Sequence, residues 1–247
     1  MTAAWQLART TARVRDCEGI WNAPGPPNVP RGMTTIGIIG SGNIGSNVAR
    51  AAIAQEYEVL IANSRGPDTL QDLIKELGDF ATAVTVEEAI RRSDMVLVAI
   101  PLGAITELPV EPFEDKIVMD ANNYYPERDG RIEVLHNNES TTSELLQARL
   151  PYSYVVKAFN NIYAKQIPTD GLPKGDPNRR ALPIAGNHAH ARVAVSDFLD
   201  DLGFDAVDLG PLSESWRVER DTPAYGKRTT AEQLRQLTAD VERVQQV

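Results

Sequence analysis

From Met33 onward, short apolar runs alternate with longer segments in which apolar positions recur at helical spacing. Thr34–Ile39, Glu58–Ala62, Met95–Ile100, Lys116–Met119, Tyr154–Ala158, Leu182–Ala185 and Ala206–Leu209 read as strands. Met95–Ile100 is apolar throughout, the pattern of a strand covered on both faces. Between them the spacing predicts helices over Asn43–Gln55, Leu70–Leu77 (capped by Asp68, ended by Gly78) and His188–Leu202 (capped by Asn187, ended by Gly203). Capping boxes at Thr85-Val-Glu-Glu88, Thr141-Thr-Ser-Glu144 and Thr229-Thr-Ala-Glu232 predict three more helices: one to about Arg92, one over Leu145–Leu150 and one over Thr230–Val247. Ser143 is read as part of its cap, and Ser213–Glu219 as helical. Strand–helix alternation of this kind defines an α/β fold with a doubly wound, mainly parallel sheet. The expected division is an extension over 1–32, a dinucleotide-binding domain over 33–211 and a small C-terminal helical extension over 212–247.

Composition changes the picture at the N-terminus. Residues 1–32 carry a net charge of +2, so of the whole chain's −9 the remaining 215 residues carry −11. The run Ala23-Pro-Gly-Pro-Pro-Asn-Val-Pro30 excludes helix and central strand. This segment is expected to be a disordered extension: an upstream start codon with Met33 as the native start is the first reading, a disordered leader the second, and a transit peptide, whose acid-poor pattern Asp16 and Glu18 spoil, the third. The acidic balance of the 247 residues argues against nucleic acid as the partner. Cys17 is the only cysteine, which excludes an intrachain disulfide and points to a reducing cytoplasm. No apolar run approaches the roughly 20 residues of a membrane span. Of the three histidines, His188 and His190 are two apart on a predicted helix and face apart, so no metal site is expected.

Candidate chemistry begins where the first strand ends. Gly40-Ser-Gly-Asn-Ile-Gly45 fits the G-x-G-x-x-G pattern between a strand and a helix. Gly40 makes the tight turn, Gly42 admits a pyrophosphate and Gly45 lets helix and strand approach, while the helix N-terminus offers amides to the phosphates. The end of the second strand reads Asn63-Ser-Arg65, with no acid to receive a ribose 2′-hydroxyl. Arg65, helped by Ser64, suits a 2′-phosphate, so the expected cofactor is NADP(H). Further polar groups fall at later strand ends: Ile100 and Pro101, then Asp120-Ala-Asn-Asn123, then Lys157-Ala-Phe-Asn-Asn161. They suggest a site that orients the nicotinamide and a second ring. The loop Pro168–Arg180 and the segment Trp216–Tyr225 could both shape a second-substrate pocket; within the loop, Lys174, Arg179 and Arg180 are candidates either for attracting an anionic tail or for a solvated surface.

Taken with Ser143-Glu-Leu-Leu146 and Asp208-Leu-Gly-Pro-Leu-Ser213, these motifs make the chain resemble the coenzyme F(420)-dependent NADP oxidoreductases over about Met33 to Glu219. That family is related to the reductase domain of six-transmembrane metalloreductases. The resemblance implies hydride exchange between NADP(H) and a deazaflavin or flavin ring. It implies that Ser41, Asn43 and Ile44 line the pyrophosphate and that Ser64 and Arg65 hold the 2′-phosphate. Ile100 and Pro101 would flank the cofactor, with Asn122, Lys157, Ala158 and Asn160 near the nicotinamide. No catalytic acid or base is assigned. The alternatives are an NADPH-dependent reductase of another small acceptor (imine, carbonyl or ferric chelate) and a non-catalytic NADP sensor. The expected partner is a small redox substrate, with no nucleic acid or membrane; a homodimer is a further expectation.

Overall fold

The computed structural model describes residues 34–243, so the extension expected over 1–32 lies outside the described residues. In chain order the elements are β1 (Thr35–Ile39), α1 (Asn43–Ala54), β2 (Glu58–Ala62), α2 (Gln71–Leu77), β3 (Ala81–Ala83), α3 (Val86–Arg91), β4 (Met95–Val98) and β5 (Ile117–Asp120). Two single-turn helices follow, α4 (Pro126–Asp129) and α5 (Glu133–His136), then α6 (Thr142–Arg149), β6 (Tyr154–Lys157), β7 (Ala181–Gly186), α7 (Ala189–Asp201), β8 (Asp205–Asp208) and α8 (Ala231–Ala239). The strands form one sheet in the order β3-β2-β1-β4-β5-β6-β7-β8. Every neighbouring pair is parallel except β6 and β7, which run antiparallel.

Alternation along the strands sends apolar side chains to both faces. Ile36 and Ile38 of β1 and Val59 and Ile61 of β2 join Val48 and Ala52 of α1 and Val195 and Phe198 of α7. Ile39, Leu60, Val96 and Val98 pack on the other face with Ala89 and Ile90 of α3 and Leu146 of α6. The segment after β8 is not a detached appendage. Val218, Ala224 and Leu234 pack against Ala181 of β7 and Val207 of β8.

The capping boxes at Thr85 and Thr141 form as predicted, each with the Glu three residues on. The third forms one residue later, between Thr230 and Gln233, and its helix closes at Ala239. Asp68 caps nothing; it lies inside a 3-10 turn, Pro67–Leu70, that precedes α2. Asn187 does not cap α7 either, because its Oδ1 accepts the Leu212 N–H at 3.0 Å, and His188 takes the cap position without a side-chain bond. Segment Leu212–Val218 is 3-10 rather than α. Strand β3 was not predicted: three residues give too little alternation to register.

Candidate functional site

The strand order reverses between β1 and β4, and such a reversal opens a crevice at the carboxyl ends of the strands. The turn after β1 is built for that crevice. Gly40 sits at φ 109°, and a Cβ there would lie 2.2 Å from the Ala99 carbonyl oxygen. A Cβ on Gly45 would lie 1.9 Å from the Gly40 oxygen, so α1 approaches the turn more closely than any side chain allows. At Gly42 the opposite holds: a Cβ would meet nothing within 4 Å. Gly42 is the N-cap of α1, makes no side-chain cap bond, and no acidic residue occupies the first turn. An open space over a bare, dipole-positive helix end fits a pyrophosphate.

Asn63, at the end of β2, ties this turn to the next loop. Its Nδ2 donates to Ser41 Oγ at 3.3 Å and Thr69 Oγ1 at 3.0 Å, and its Oδ1 accepts the Arg65 N–H at 2.9 Å. Ser64 and Arg65 are exposed on that loop. Among the described residues the Arg65 guanidinium has no acidic partner, whereas Arg50 and Arg91 nearby in sequence are both paired. The same crevice continues as a cleft of about 450 Å³ reached by Asn43, Ile44, Ile100, Pro101, Asn122 and Asn160. Asn122 Oδ1 accepts the Ile100 N–H at 3.1 Å, which leaves its buried Nδ2 without a partner. Asn160 Nδ2 donates to the Val218 carbonyl at 2.8 Å, which leaves its buried Oδ1 without a partner. One orphan donor and one orphan acceptor at a single cleft are the complement of a primary carboxamide. Phe159, fully buried at φ 59°, turns the chain between β6 and Asn160; its edge contact with Phe198 at 6.1 Å anchors that strained residue.

Lys157 and Ala158 lie beneath the cleft rather than on it, both fully buried. Lys157 Nζ donates to Thr142 Oγ1 at 2.6 Å and to the Asn122 carbonyl at 2.5 Å, with Asp120 Oδ2 at 3.4 Å. Asp120 also accepts from Ser143 Oγ at 2.6 Å and from the Asn122 N–H at 2.9 Å. Ser143 therefore serves this network and not its helix cap. Thr142 donates its N–H and hydroxyl to Glu219 Oε1 at 3.0 and 2.7 Å. Lys157 thus holds the loop that carries Asn122.

The loop cations are spent internally. Arg179 bonds Asp200 at 2.6 Å and Asp205 at 2.9 Å, and Arg180 bonds Asp170 at 2.8 Å. Both arginines are buried, and Lys174 pairs with Asp200 at 2.8 Å, so none of the three is placed to attract an anionic tail. His188 and His190 do converge, their ring centroids 5.9 Å apart and both edge-on to Tyr154. Burial, then the neighbouring His190, hold the His188 imidazole below its ordinary value. No group of three metal-ligating side chains occurs among the described residues. Three tyrosines line the cleft: Tyr125, Tyr163 and Tyr225. The sequence points to the segment that ends at Tyr225 as one that could shape a second-substrate pocket, but nothing in the spacing of Tyr125 and Tyr163 would have found them.

A doubly wound sheet, an open glycine turn and, among the described residues, an arginine without an acidic partner at the second strand end define a Rossmann-type dinucleotide-binding fold. The chain belongs to the NADP oxidoreductase, coenzyme F(420)-dependent, family, whose model matches residues 35–124. The hypothetical protein SMa0349 of Sinorhizobium meliloti is 32% identical, with a TM-score of 0.70 over 80% of this chain and 96% of that one. Metalloreductase STEAP3 of Rattus norvegicus is 29% identical over 196 residues, which is 77% of this chain and 37% of the relative. The chain therefore spans little more than a third of that protein's length. A candidate F(420)-dependent NADP reductase from Arthrobacter sp. FB24 shares the fold at 23% identity, TM-score 0.64, over 74% of this chain and 87% of that one. No helix among the described residues is long and apolar enough to cross a membrane.

Proposed function

We propose that the chain exchanges a hydride between NADP(H) and a ring-shaped organic acceptor, a deazaflavin of the coenzyme F(420) type or a flavin. The observation that carries this reading is the pair of unpartnered amide atoms, Asn122 Nδ2 and Asn160 Oδ1, on two residues that line the same cleft as Asn43 and Ile44 at the start of α1. The turn Gly40–Gly45, with Ser41, Asn43 and Ile44, would hold the pyrophosphate, and Ser64 and Arg65 the 2′-phosphate. Ile100 and Pro101 would bear on the nicotinamide ring while Asn122 and Asn160 fix its carboxamide. Lys157 and Ala158 support that floor from below. The nicotinamide supplies the hydride; the protein binds, orients and shields the two rings. The test is to follow NADPH absorbance with coenzyme F(420), FMN, a cyclic imine and a ferric chelate offered in turn. Oxidation with coenzyme F(420) or FMN supports the reading. Turnover confined to the imine or the chelate moves it to a different acceptor class. Tight NADPH binding with no turnover makes the chain a sensor.

A further inference from the structure

The cleft is also lined by two phenols that lie 100 residues apart in the chain. The hydroxyls of Tyr125 and Tyr225 are 2.7 Å apart, and both rings line the cleft that Ile100 and Asn122 reach. We infer that this hydroxyl pair is the proton-donating end of the acceptor subsite. The acceptor it serves is a planar conjugated ring system whose reduction places a proton on one ring nitrogen as well as a hydride on a ring carbon or a second ring nitrogen. This inference rests on the hydride-exchange reading above.

Donor counting carries the argument. Each phenol has one O–H. When one donates to the other, the recipient keeps its own O–H free, and that free hydroxyl is polarised by the bond it accepts. The pair therefore offers one committed and one available proton. Burial and the bond to Tyr125 push the Tyr225 phenol well above its ordinary value, so it stays protonated through the working pH range. The surroundings suit a neutral, flat guest. Tyr163, 67% exposed, stands beside Gly226 and offers an open ring face to the cleft. The guanidinium of Arg128 lies 4.8 Å from the Tyr125 ring centroid and that of Arg220 lies 5.4 Å away. Each is compensated, Arg128 by Asp129 at 2.7 Å and Arg220 by Glu127 at 3.0 Å, so the rim makes no net demand for an anion.

The wall is anchored at both ends. The Val218 carbonyl accepts from Asn160, the Thr222 hydroxyl donates to the Glu219 carbonyl at 2.8 Å, and the Lys227 carbonyl accepts from Arg180 at 3.4 Å. The step balances as follows. NADPH gives a hydride, with its electron pair, to the acceptor's central ring, on carbon in a deazaflavin or on nitrogen in a flavin. The conjugated π pairs shift along the ring system so that one settles at a second position, a ring nitrogen, which takes the free phenol proton. The resulting phenolate takes the proton of the second phenol, and solvent restores that one. The products are NADP⁺ and the dihydro acceptor. One-electron reduction of a ferric chelate needs no such proton.

The test compares wild type with Tyr125→Phe, Tyr225→Phe and the double variant, each of which keeps its rings, using coenzyme F(420) and FMN as probes. The double variant is expected to lose about 100-fold or more in kcat with whichever probe the wild type reduces. Its dissociation constant for NADPH should be unchanged. The single variant with the larger loss marks the terminal donor, and the singles suffice if the double does not fold. A second readout needs no turnover. The absorbance band of the oxidised probe, bound to the NADP⁺ complex, should shift in wild type and lose that shift in the double variant. Variants that keep kcat within about threefold and keep the band shift overturn the inference. So does a wild type that binds NADPH yet neither reduces nor spectrally perturbs either probe, in which case the cofactor assignment survives. If NADPH itself does not bind, the underlying reading falls as well.

Discussion

Replacing Lys157 with Met removes the cation paired with Asp120 in the polar layer under the cleft, where both side chains are fully buried. Breaking a buried pair by removing one partner costs about 3–5 kcal/mol, because the remaining charge loses its compensation. Asp120 keeps two donors, the Ser143 hydroxyl at 2.6 Å and the Asn122 N–H at 2.9 Å. The loss should therefore sit near the lower end, about 3 kcal/mol. Against a typical total of about 5–15 kcal/mol that is a large fraction. With a urea slope of about 2.5 kcal/mol per molar, the midpoint should fall by about 1.2 M. Urea titration followed by circular dichroism reads this directly. The double variant Lys157→Met with Asp120→Asn should recover part of the loss, since Asp120 then no longer carries a charge that has lost its partner. A midpoint shift below about 0.3 M in the single variant, or strict additivity in the double, would refute the account.

Other expectations concern the two ends of the crevice and the acid limit. Arg65→Ala removes charge-assisted bonds worth about 1.5–3 kcal/mol, so NADPH binding should weaken about 10- to 100-fold while NADH binding barely changes. Equal losses for the two cofactors in fluorescence titrations would sink the 2′-phosphate assignment. Gly42→Ala places its methyl in open space, so the melting temperature should hold while both cofactors bind poorly; Gly45→Ala, with its Cβ 1.9 Å from the Gly40 oxygen, should melt lower. Melting scans paired with binding titrations separate the two, and a reversed pattern contradicts the geometry. Hydrogen bonds from Lys174, then Arg179, hold the Asp200 carboxyl below its ordinary value. Its contribution is then present above that ordinary value and is lost as the pH falls below about 4. Asp200→Asn should flatten the acid limb of stability against pH, and an unchanged limb would count against the pairing.

What the sequence made legible was what depends on near neighbours. The glycine turn, the boxes at Thr85 and Thr141 and the fully apolar β4 each declare themselves within a few residues. The misplacements share a cause. Asp68 and Asn187 are good caps by type, but Pro67 redirects the chain at the first, and Leu212, 25 residues away, claims the second. Nothing local announces that β7 reverses against β6, since pairing direction is set by how the long connection returns. Arg179 and Arg180 looked available because Asp200, Asp205 and Asp170 meet them only in the fold. The amide couple was half visible: Asn122 and Asn160 fall at strand ends, while their orphaned atoms emerge only once Ile100 and Val218 take the other halves.

The wall that carries Tyr225 has a consequence for the order in which the site comes into being. The glycine turn, Arg65, Asn122 and Asn160 all precede β7, whereas Tyr225 follows the last strand of the sheet. Chains are synthesised from the N-terminus and fold largely in that direction. A nascent chain that has passed Asn160 but not Val218 already holds Arg65, Asn122, Tyr125 and Asn160, yet lacks both Tyr225 and the carbonyl that holds Asn160. The late segment 218–226 therefore completes two things at once: it fixes an amide assigned to the dinucleotide and supplies half of the hydroxyl pair.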